Sequence, residues 1–319
     1  MEMDNKEYDQ TGPKMEEQID LRVLFRVLFQ KKLPVILITL LFAVGSVLYA
    51  LNVKNEYRAS AVLVPVSSGG NSGGLSRLAG QFGGLASLAG LSIGGSSGVS
   101  KSVTAIEVMQ TWGFAERFIS TYGLEVEVFA ATDWKKSTRK LVIDPELYDL
   151  ENEEWIRSKL DANLSDEPTS WELYAALSNR IFVSQDNKTG IVRIEAEHYS
   201  PDVAKKWVDL LVKEINSYMK LRDHEDAKKS IEYLKHQINR TTIAEMRSIF
   251  YELIEEQTKK LMLAEVSEEY VFKTISEAKV PEQRIRPKRA LIAIMGTFFG
   301  FILACVFVLI RHYPSATRR

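Results

Sequence analysis

The sequence has little cysteine, little histidine and almost no net charge. Its single cysteine, Cys305, excludes an intramolecular disulfide and leaves the redox compartment open. The 41 basic and 42 acidic residues leave a net charge of -1, which argues against a nucleic-acid binder because such proteins carry a basic surface. The histidines are scattered, so we expect solvent-facing side chains and no zinc ligands at His198, His224, His236 and His312.

Motifs of the common enzyme classes are also missing. The glycines of residues 67–100 are not followed by Gly-Lys-Ser/Thr, so they do not form a Walker phosphate loop. No Ser-His-Asp or nucleophile-elbow pattern occurs, and the acidic residues of the C-terminal half alternate with lysine and arginine, as on a solvated or interhelical surface. We therefore predict that the protein is not an enzyme and uses no metal or cofactor.

The sequence does have two long apolar runs, one near each end. Residues 33–53 and 290–310 are each long enough for a helix to cross the roughly 30 Å hydrocarbon core of a bilayer. A signal peptide is the alternative for the first run, but its apolar core is long for one and no clean small-residue cleavage site follows it. We predict two transmembrane helices.

Cations around the first run predict its orientation. The cations of residues 22–32 outnumber those that follow the run, which places the N-terminus in the cytoplasm. The tail of residues 1–32, which contains an amphipathic segment, and the tail of residues 311–319 are then both cytoplasmic. Residues 54–289 lie on the other side of the membrane. We expect no kinase or sensor output domain in so short a C-terminal tail.

Three stretches alternate apolar and polar residues as strands do: Glu56–Val66, a hairpin within Ile181–Tyr199, and Tyr270–Val280. The first and last of these are tethered close to the membrane by the adjacent apolar runs, so we expect them to pair. Pro281 is expected to stop the last strand and Pro287 to set the entry into the second apolar run.

A long helical region follows the hairpin. Ser200 is a favourable N-cap and Pro201 a favourable first helical residue, and the apolar spacing predicts a helix to about residue 238. Thr242 and Glu245 have the spacing of a capping box that begins a second helix. We predict a helical arm over residues 201–268, on an α/β base formed by residues 54–200 and 269–289.

Shorter helices are predicted at residues 103–122, 153–160 and 170–178, and a partly ordered Gly-rich loop at residues 67–100. An arm this long and charged cannot bury much surface within one chain, so we expect a homo-oligomer.

Candidate functional residues cluster before the second apolar run. Arg284, Arg286, Lys288 and Arg289 lie on the side where the orientation rule expects few cations, which suggests a role outside the membrane, with interfacial anchoring as the alternative. The prolines of this segment are Pro281 and Pro287. Within the apolar runs, small residues at Gly45, Gly296 and Gly300 favour close packing between helices.

These features together resemble the Wzz family of polysaccharide co-polymerases, the bacterial O-antigen chain-length determinants. The similarity spans nearly the whole chain, from the basic start and the early apolar run to the final Gly-containing run. Its most specific segments are Pro281 with Pro287-Lys288-Arg289, Thr189–Val192, Ser200-Pro201-Asp202 and Trp207-Val208. The chain departs from the family at Ile285, where a further proline is often seen.

The resemblance implies an α+β membrane protein with two terminal transmembrane helices, a periplasmic α/β base and a long helical arm. It implies a two-pass protein of the bacterial inner membrane that forms a ring of about eight subunits. Its implied partners are a Wzy-type polymerase, the undecaprenyl-linked polysaccharide and membrane lipids, with no nucleic acid. The implied function is control of O-antigen lipopolysaccharide chain length; the alternative is an export co-polymerase for exopolysaccharide or capsule, with a separate kinase and outer-membrane exporter.

Overall fold

A computed structural model describes residues 31–66, 97–157 and 165–316. The predicted amphipathic segment and most of the predicted Gly-rich loop lie outside these residues. The chain divides into two compact units, a central unit of Lys54–Arg286 and a terminal unit formed by Met1–Val53 and Pro287–Arg319.

In chain order, the described helices are α1 (Lys32–Asn52), α2 (Ser97–Met109), α3 (Trp112–Tyr122), α4 (Glu125–Phe129), α5 (Ser170–Ser178), α6 (Pro201–Arg240), α7 (Ala244–Val266) and α8 (Arg289–Ala316). The strands are β1 (Glu56–Pro65), β2 (Ala131–Lys135), β3 (Lys140–Ile143), β4 (Tyr148–Asp149), β5 (Glu154–Trp155), β6 (Ile181–Gln185), β7 (Val192–His198), β8 (Phe272–Ser276) and β9 (Arg284–Arg286). Helices and strands thus both contribute to the central unit, and the described part of the terminal unit is mainly helical.

The terminal unit is a pair of packed apolar helices, α1 and α8. Lys32–Asn52 and Arg289–Arg311 are long and apolar enough to cross a membrane, and most of their surface is exposed. The core helix of a soluble protein would instead be mostly buried. The predicted pair of terminal apolar helices is confirmed, and it fits a two-pass membrane protein.

The central unit is built on an antiparallel sheet with the strand order β6-β7-β1-β8. Ala59, Ala61 and Leu63 of β1 lie opposite Ala196, Ile194 and Val192 of β7, and all six are buried. Because side chains alternate along a strand, the residues between them lie on the other face of the sheet. The β6–β7 hairpin and the pairing of the first and last predicted strands are confirmed.

The last predicted strand is shorter than the sequence indicated. β8 ends at Ser276, so the expectation that Pro281 stops the strand is wrong. After the break that contains Pro281, the chain returns to the same edge of β1 as β9, with Tyr57 opposite Arg284 and Glu56 opposite Arg286. Sequence reasoning missed β9 because three residues are too few for an alternation pattern.

Helices α2, α3 and the first half of α6 cover the apolar face of the sheet. Phe118 of α3 and Trp207, Leu211 and Ile215 of α6 are almost fully buried in one core with Leu63 of β1. Burial of each large apolar side chain contributes roughly 1.5–3 kcal/mol to stability. This packing therefore stabilises the first half of α6, although most residues of that helix are polar. The core therefore lies at the start of the arm.

Two predicted short helices differ from the structure. The region 103–122 is two helices, α2 and α3, because the Thr111 hydroxyl accepts a hydrogen bond from the backbone N–H of Phe114 and starts a new helix. The predicted helix at 153–160 is wrong where it is described, since Glu154–Trp155 forms β5, which pairs with β4.

The arm consists of α6 and α7. Helix α6 has 40 residues, which is roughly 60 Å at 1.5 Å per residue, and begins with Ser200 as N-cap and Pro201, as predicted. The chain breaks after Arg240, and α7 runs back along α6, since the Lys220 ammonium donates to the carbonyl oxygen of Glu265. The predicted capping box at Thr242 is wrong: the N-cap of α7 is Ile243, with no side-chain hydrogen bond.

Candidate functional site

The predicted cation segment is divided between the two units. Pro281, Arg284 and Arg286 belong to the central unit, whereas Pro287, Lys288 and Arg289 begin the terminal unit's second portion. In the central unit, Pro281 is half-buried in the break between β8 and β9. In the terminal unit, Pro287 precedes α8, and its carbonyl oxygen accepts a hydrogen bond from the backbone N–H of Arg289.

Arg286 is held by two carboxylates. Its guanidinium lies 3.5 Å from a carboxylate oxygen of Glu56 and 3.3 Å from one of Glu197. By contrast, Arg284 is exposed, and within the part of the chain that the structure describes, its side chain makes no ion pair. The two arginines of β9 therefore differ. Arg286 joins β9 to β1 and β7, whereas the side chain of Arg284 is exposed and available to a binding partner.

Glu197 is the centre of a charged cluster on the sheet face opposite the core. Arg58 donates from Nε to Glu197 Oε1 at 2.9 Å and from Nη1 to Glu195 Oε2 at 3.0 Å, and it also contacts Glu197 through Nη2. The Glu197 side chain is only 3% exposed, so both Arg58 and Arg286 compensate a buried charge. Removal of one partner of a buried pair typically costs about 3–5 kcal/mol.

The glycines of the terminal unit differ in the space around them. A Cβ added at Gly296 would lie closer than 3.0 Å to the Ser46 side chain, and one added at Gly300 equally close to Phe42. Gly45 has nothing within 4 Å of such a Cβ. Close approach of α1 and α8 thus depends on Gly296 and Gly300, and Gly45 lines an open apolar groove beside them.

Asn216 joins the arm to the sheet. Its Oδ1 accepts hydrogen bonds from the backbone N–H groups of Val271 and Phe272 at 2.8 and 3.0 Å, and its Nδ2 donates to the Phe272 carbonyl oxygen at 3.1 Å. The side chain is buried, so loss of the amide would leave backbone groups unsatisfied at about 1–3 kcal/mol each. Asn216 therefore determines where the returning chain enters the sheet.

Glu214 is a second buried polar residue of α6. Its carboxylate accepts hydrogen bonds from Arg117 Nε at 2.9 Å and from the Tyr122 hydroxyl at 3.1 Å. Burial, and then the Glu214 carboxylate, raise the pKa of Tyr122 above its usual value. Sequence reasoning missed this group, although helical spacing places Glu214 on the apolar face of Trp207 and Leu211, where a charge indicates a buried partner.

A third cluster joins α2 to the arm. The Asp223 carboxylate accepts from Lys101 Nζ and from the Tyr270 hydroxyl, each at 2.7 Å. Burial alone would lower the pKa of Lys101, but the hydrogen bond and the charge of Asp223 raise it. Together with Asn216 and Glu214, Asp223 anchors residues 214–223 of α6 to neighbouring segments of the central unit.

The histidines do not form a metal site in residues 31–66, 97–157 and 165–311. His236 is exposed and His224 is half-buried. The expectation of a solvent-facing side chain is wrong for His198, which is buried, with Nε2 at 3.1 Å from the Glu127 carbonyl oxygen. Burial lowers the pKa of His198 to about 3, so the ring is neutral. The His312 side chain lies outside the described residues.

Comparison with family models matches two segments of the chain. Residues 17–122 match Wzz, the chain length determinant protein, and residues 241–313 match GNVR, described as "G-rich domain on putative tyrosine kinase". The first match includes α1, β1 and the sheet-covering helices α2 and α3. The second includes α7, β8, β9 and most of α8. No curated protein sequence matches the chain.

Two solved structures are similar over much of their length, each at 10% sequence identity. A full-length bacterial polysaccharide co-polymerase aligns over 94% of this chain and 99% of its own, with a TM-score of 0.39. A fragment of WzzB, a polysaccharide co-polymerase from Salmonella Typhimurium, aligns over 73% of this chain and 100% of its own, with a TM-score of 0.26. Residues 17–122 thus match the Wzz chain length determinant domain, in agreement with the resemblance of the sequence.

Proposed function

We propose that the protein is a non-catalytic regulator of surface polysaccharide chain length, specifically of O-antigen lipopolysaccharide. In this proposal a homo-oligomeric ring acts on a Wzy-type polymerase that extends an undecaprenyl-linked polysaccharide. The observation that carries the proposal is the chain length determinant domain at residues 17–122. The two apolar helices support it, because a polymer built on a lipid carrier is extended at a membrane.

The buried and half-buried carboxylates of the central unit are consistent with a regulator. The carboxylates of Glu197, Glu214 and Asp223 are each occupied by arginine, lysine or tyrosine partners. A carboxyl that acts as a general acid or base needs a shifted pKa and access to an open cleft. These three carboxylates instead join one strand or helix to another. In this proposal these carboxylates therefore hold the fold together and take no part in chemistry.

Deletion of the gene tests the proposal directly. We expect the surface polysaccharide to lose its preferred length on a gel, and the wild-type gene supplied on a plasmid to restore it. A double variant, Gly296→Leu with Gly300→Leu, should restore length control poorly, while Gly45→Leu should restore it. An unchanged ladder after deletion would contradict the proposal.

A second candidate function is favoured by the GNVR match at residues 241–313. In that case the protein is an export co-polymerase for exopolysaccharide or capsule, and it works with a separate kinase and an outer-membrane exporter. The two candidates differ in the polymer affected. Deletion would leave the lipopolysaccharide ladder intact and reduce the yield or size of secreted polysaccharide.

We also propose that Arg284, Lys288 and Arg289 contact anionic lipid headgroups or the pyrophosphate of the carrier, whereas Arg286 serves the fold. Arg284 and Lys288 are exposed, while Arg286 is committed to Glu56 and Glu197. Phosphates are favourable partners for such cations near a membrane surface.

Charge reversal separates these roles. Arg284→Glu and Lys288→Glu should shift polymer length at normal protein level, and Arg286→Glu should lower the protein level itself. Lys279→Glu, at another exposed lysine of the same segment, is the matched control. If Arg284→Glu, Lys288→Glu and Lys279→Glu all gave the same distribution of polymer lengths, Arg284 and Lys288 would serve only to anchor the chain at the membrane surface.

We further propose that the protein lies in the bacterial inner membrane with both termini in the cytoplasm and the central unit in the periplasm. The cations before α1 support this orientation. A reporter active only in the periplasm should be inactive when fused to Arg319 and active when inserted in the exposed turn after Asp186. The reverse pattern would overturn the orientation.

A further inference from the structure

Three aromatic side chains form a cluster at the surface where α3 and α5 meet. The rings of Trp112 and Trp171 are stacked, with centroids 5.3 Å apart and planes at 23°. Tyr174 packs edge-on against Trp171 at 6.1 Å. Trp171 is nevertheless 65% exposed. Much of the Trp171 indole is therefore open to a ligand although Trp112 and Tyr174 both pack against it.

The cluster is held in place by the ends of its two helices. The Tyr174 hydroxyl donates to the Gln110 carbonyl oxygen at 3.0 Å, which joins α5 to the segment before α3. Thr111 begins α3 as its N-cap, and Thr169 begins α5 with a capping box. A ring fixed in this way loses little conformational entropy when a ligand packs on it.

We propose that this cluster is a binding platform for a pyranose ring of a saccharide chain. The inference rests on the proposed function, since it names a site for the polymer on the central unit. The C–H groups on one face of a pyranose carry partial positive charge and pack favourably on the negative face of an indole. The side chain of Gln110, which is exposed beside the cluster, supplies a partner for a sugar hydroxyl.

The indole Nε1 of Trp112 adds a hydrogen-bond donor to this site. It is buried and has no acceptor among the described residues. An unsatisfied buried donor costs about 1–3 kcal/mol, a cost that the protein carries at the base of its aromatic stack.

The size of the cluster favours a saccharide over a protein partner. In residues 104–157 and 165–180, Trp171 and Leu150 are the only large apolar side chains that are exposed. A stable protein interface needs about 800 Å² from each partner with an apolar centre, whereas one aromatic side chain offers about 150–250 Å². A single sugar ring is the occupant that fits a surface of this extent.

Binding to the full-length protein in mild detergent tests the proposal. The probe is an oligosaccharide of several repeat units released from the cell's own surface polysaccharide, with dextran of similar size for comparison. We expect quenching or a shift of tryptophan fluorescence on addition of the oligosaccharide. Trp171→Ala should weaken binding about tenfold, a ratio equivalent to about 1.4 kcal/mol, and Trp171→Phe should retain most of it.

Leu150→Ala is the matched control, because Leu150 is 62% exposed in the same unit but is not part of the cluster. It should bind as the wild type does. Equal affinity of Trp171→Ala and wild type, or no binding by the wild type, would overturn the inference. A lower oligomer mass for Trp171→Ala would overturn it in favour of a subunit contact. These failures leave the proposed function standing, since that depends on the ladder after deletion.

Discussion

His198 joins the end of β7 to two neighbouring segments through one buried ring. Its Nδ1 accepts a hydrogen bond from the backbone N–H of Ser200 at 3.0 Å, and its Nε2 lies 3.1 Å from the Glu127 carbonyl oxygen. Because Nδ1 is used as an acceptor, the proton of the neutral ring is on Nε2. The ring also packs edge-on against Trp207 at 4.8 Å. A second proton would break the hydrogen bond to Ser200.

This geometry predicts a dependence of stability on pH. The pKa of His198 is lowered to about 3, mainly by burial, whereas an unfolded histidine has a pKa of about 6.5. Between these values the unfolded chain binds a proton that the folded chain does not, so the free energy of unfolding falls as the pH falls. The thermal midpoint of the solubilised protein should therefore fall less steeply from pH 7 to 4 in His198→Phe than in wild type.

The slope, and not the absolute midpoint, is the measurement, because His198→Phe also removes two hydrogen bonds. His236→Phe is the matched control, since His236 is exposed on the arm. It should keep the wild-type slope. A wild-type slope in His198→Phe would show that other groups cause the acid sensitivity.

At the scale of helices, the same sequence motif has two outcomes. Thr169 and Thr242 are each followed three residues later by glutamate. Glu172 accepts a hydrogen bond from the Thr169 backbone N–H at 2.8 Å, and the Thr169 hydroxyl accepts one from the Glu172 N–H at 3.3 Å. Arg157 donates to Glu172, and this hydrogen bond is the main reason that the pKa of Glu172 is lowered to about 2. Thr242 makes no such contact, because α7 begins after Ile243.

Alanine at the two threonines should therefore have different effects. Thr169→Ala should destabilise α5 by about 1 kcal/mol, the usual value of a lost cap. Thr242→Ala should stay within about 0.5 kcal/mol of wild type, as for an exposed residue without a structural role. The measurement is thermal unfolding followed by tryptophan fluorescence, to which Trp171 of α5 and Trp112, stacked on it, both contribute. Equal midpoints for the two variants would show that the box at Thr169 contributes little.

The two apolar helices allow a second comparison at this scale. A side chain at Gly300 would clash with Phe42, whereas one at Gly45 would meet open space. Gly300→Leu should therefore lower the thermal midpoint of the solubilised protein, and Gly45→Leu should leave it within a few degrees. A larger loss for Gly45→Leu would indicate that another copy of the chain packs against that groove.

For the molecule as a whole, helix α7 presents more apolar surface than its own chain covers. Tyr251, Met262, Leu263 and Val266 are between 60% and 86% exposed. Met262, Leu263 and Val266 lie within about one turn of each other, and neighbouring exposed apolar side chains of this kind are typical of an interaction surface. Lys259 and Lys260 pair with glutamates one turn earlier, so these two lysines already have partners within the helix.

We expect the protein in mild detergent to have a mass several times that of its 36.2 kDa chain. Met262→Asp with Leu263→Asp should lower this mass, because the substitutions place charge in an apolar contact. Lys228→Asp, which adds an acidic residue at an exposed polar position of α6, should leave it unchanged. A monomeric wild type, measured by light scattering, would contradict the prediction.

The sequence by itself determined the elements whose signals are local and repeated. Each of these signals depends on residues close together in the sequence. They are the two apolar runs, the alternation of β1 and β7, and the Ser200-Pro201 start of α6. Such patterns reflect the periods of helix and strand, which do not require knowledge of the rest of the chain. The membrane class and the arm were therefore predictable.

The tertiary structure alone decided which polar residues are buried and which threonine caps a helix. Glu197 needs Arg58 and Arg286 from other strands, and Asn216 needs backbone groups of β8, at positions far apart in the sequence. Among the candidate residues, it separated Arg286 from Arg284 and Gly45 from Gly296. The reason is that a buried charge or amide is stable only beside its partners, and those partners are brought together by packing of the whole sheet and arm.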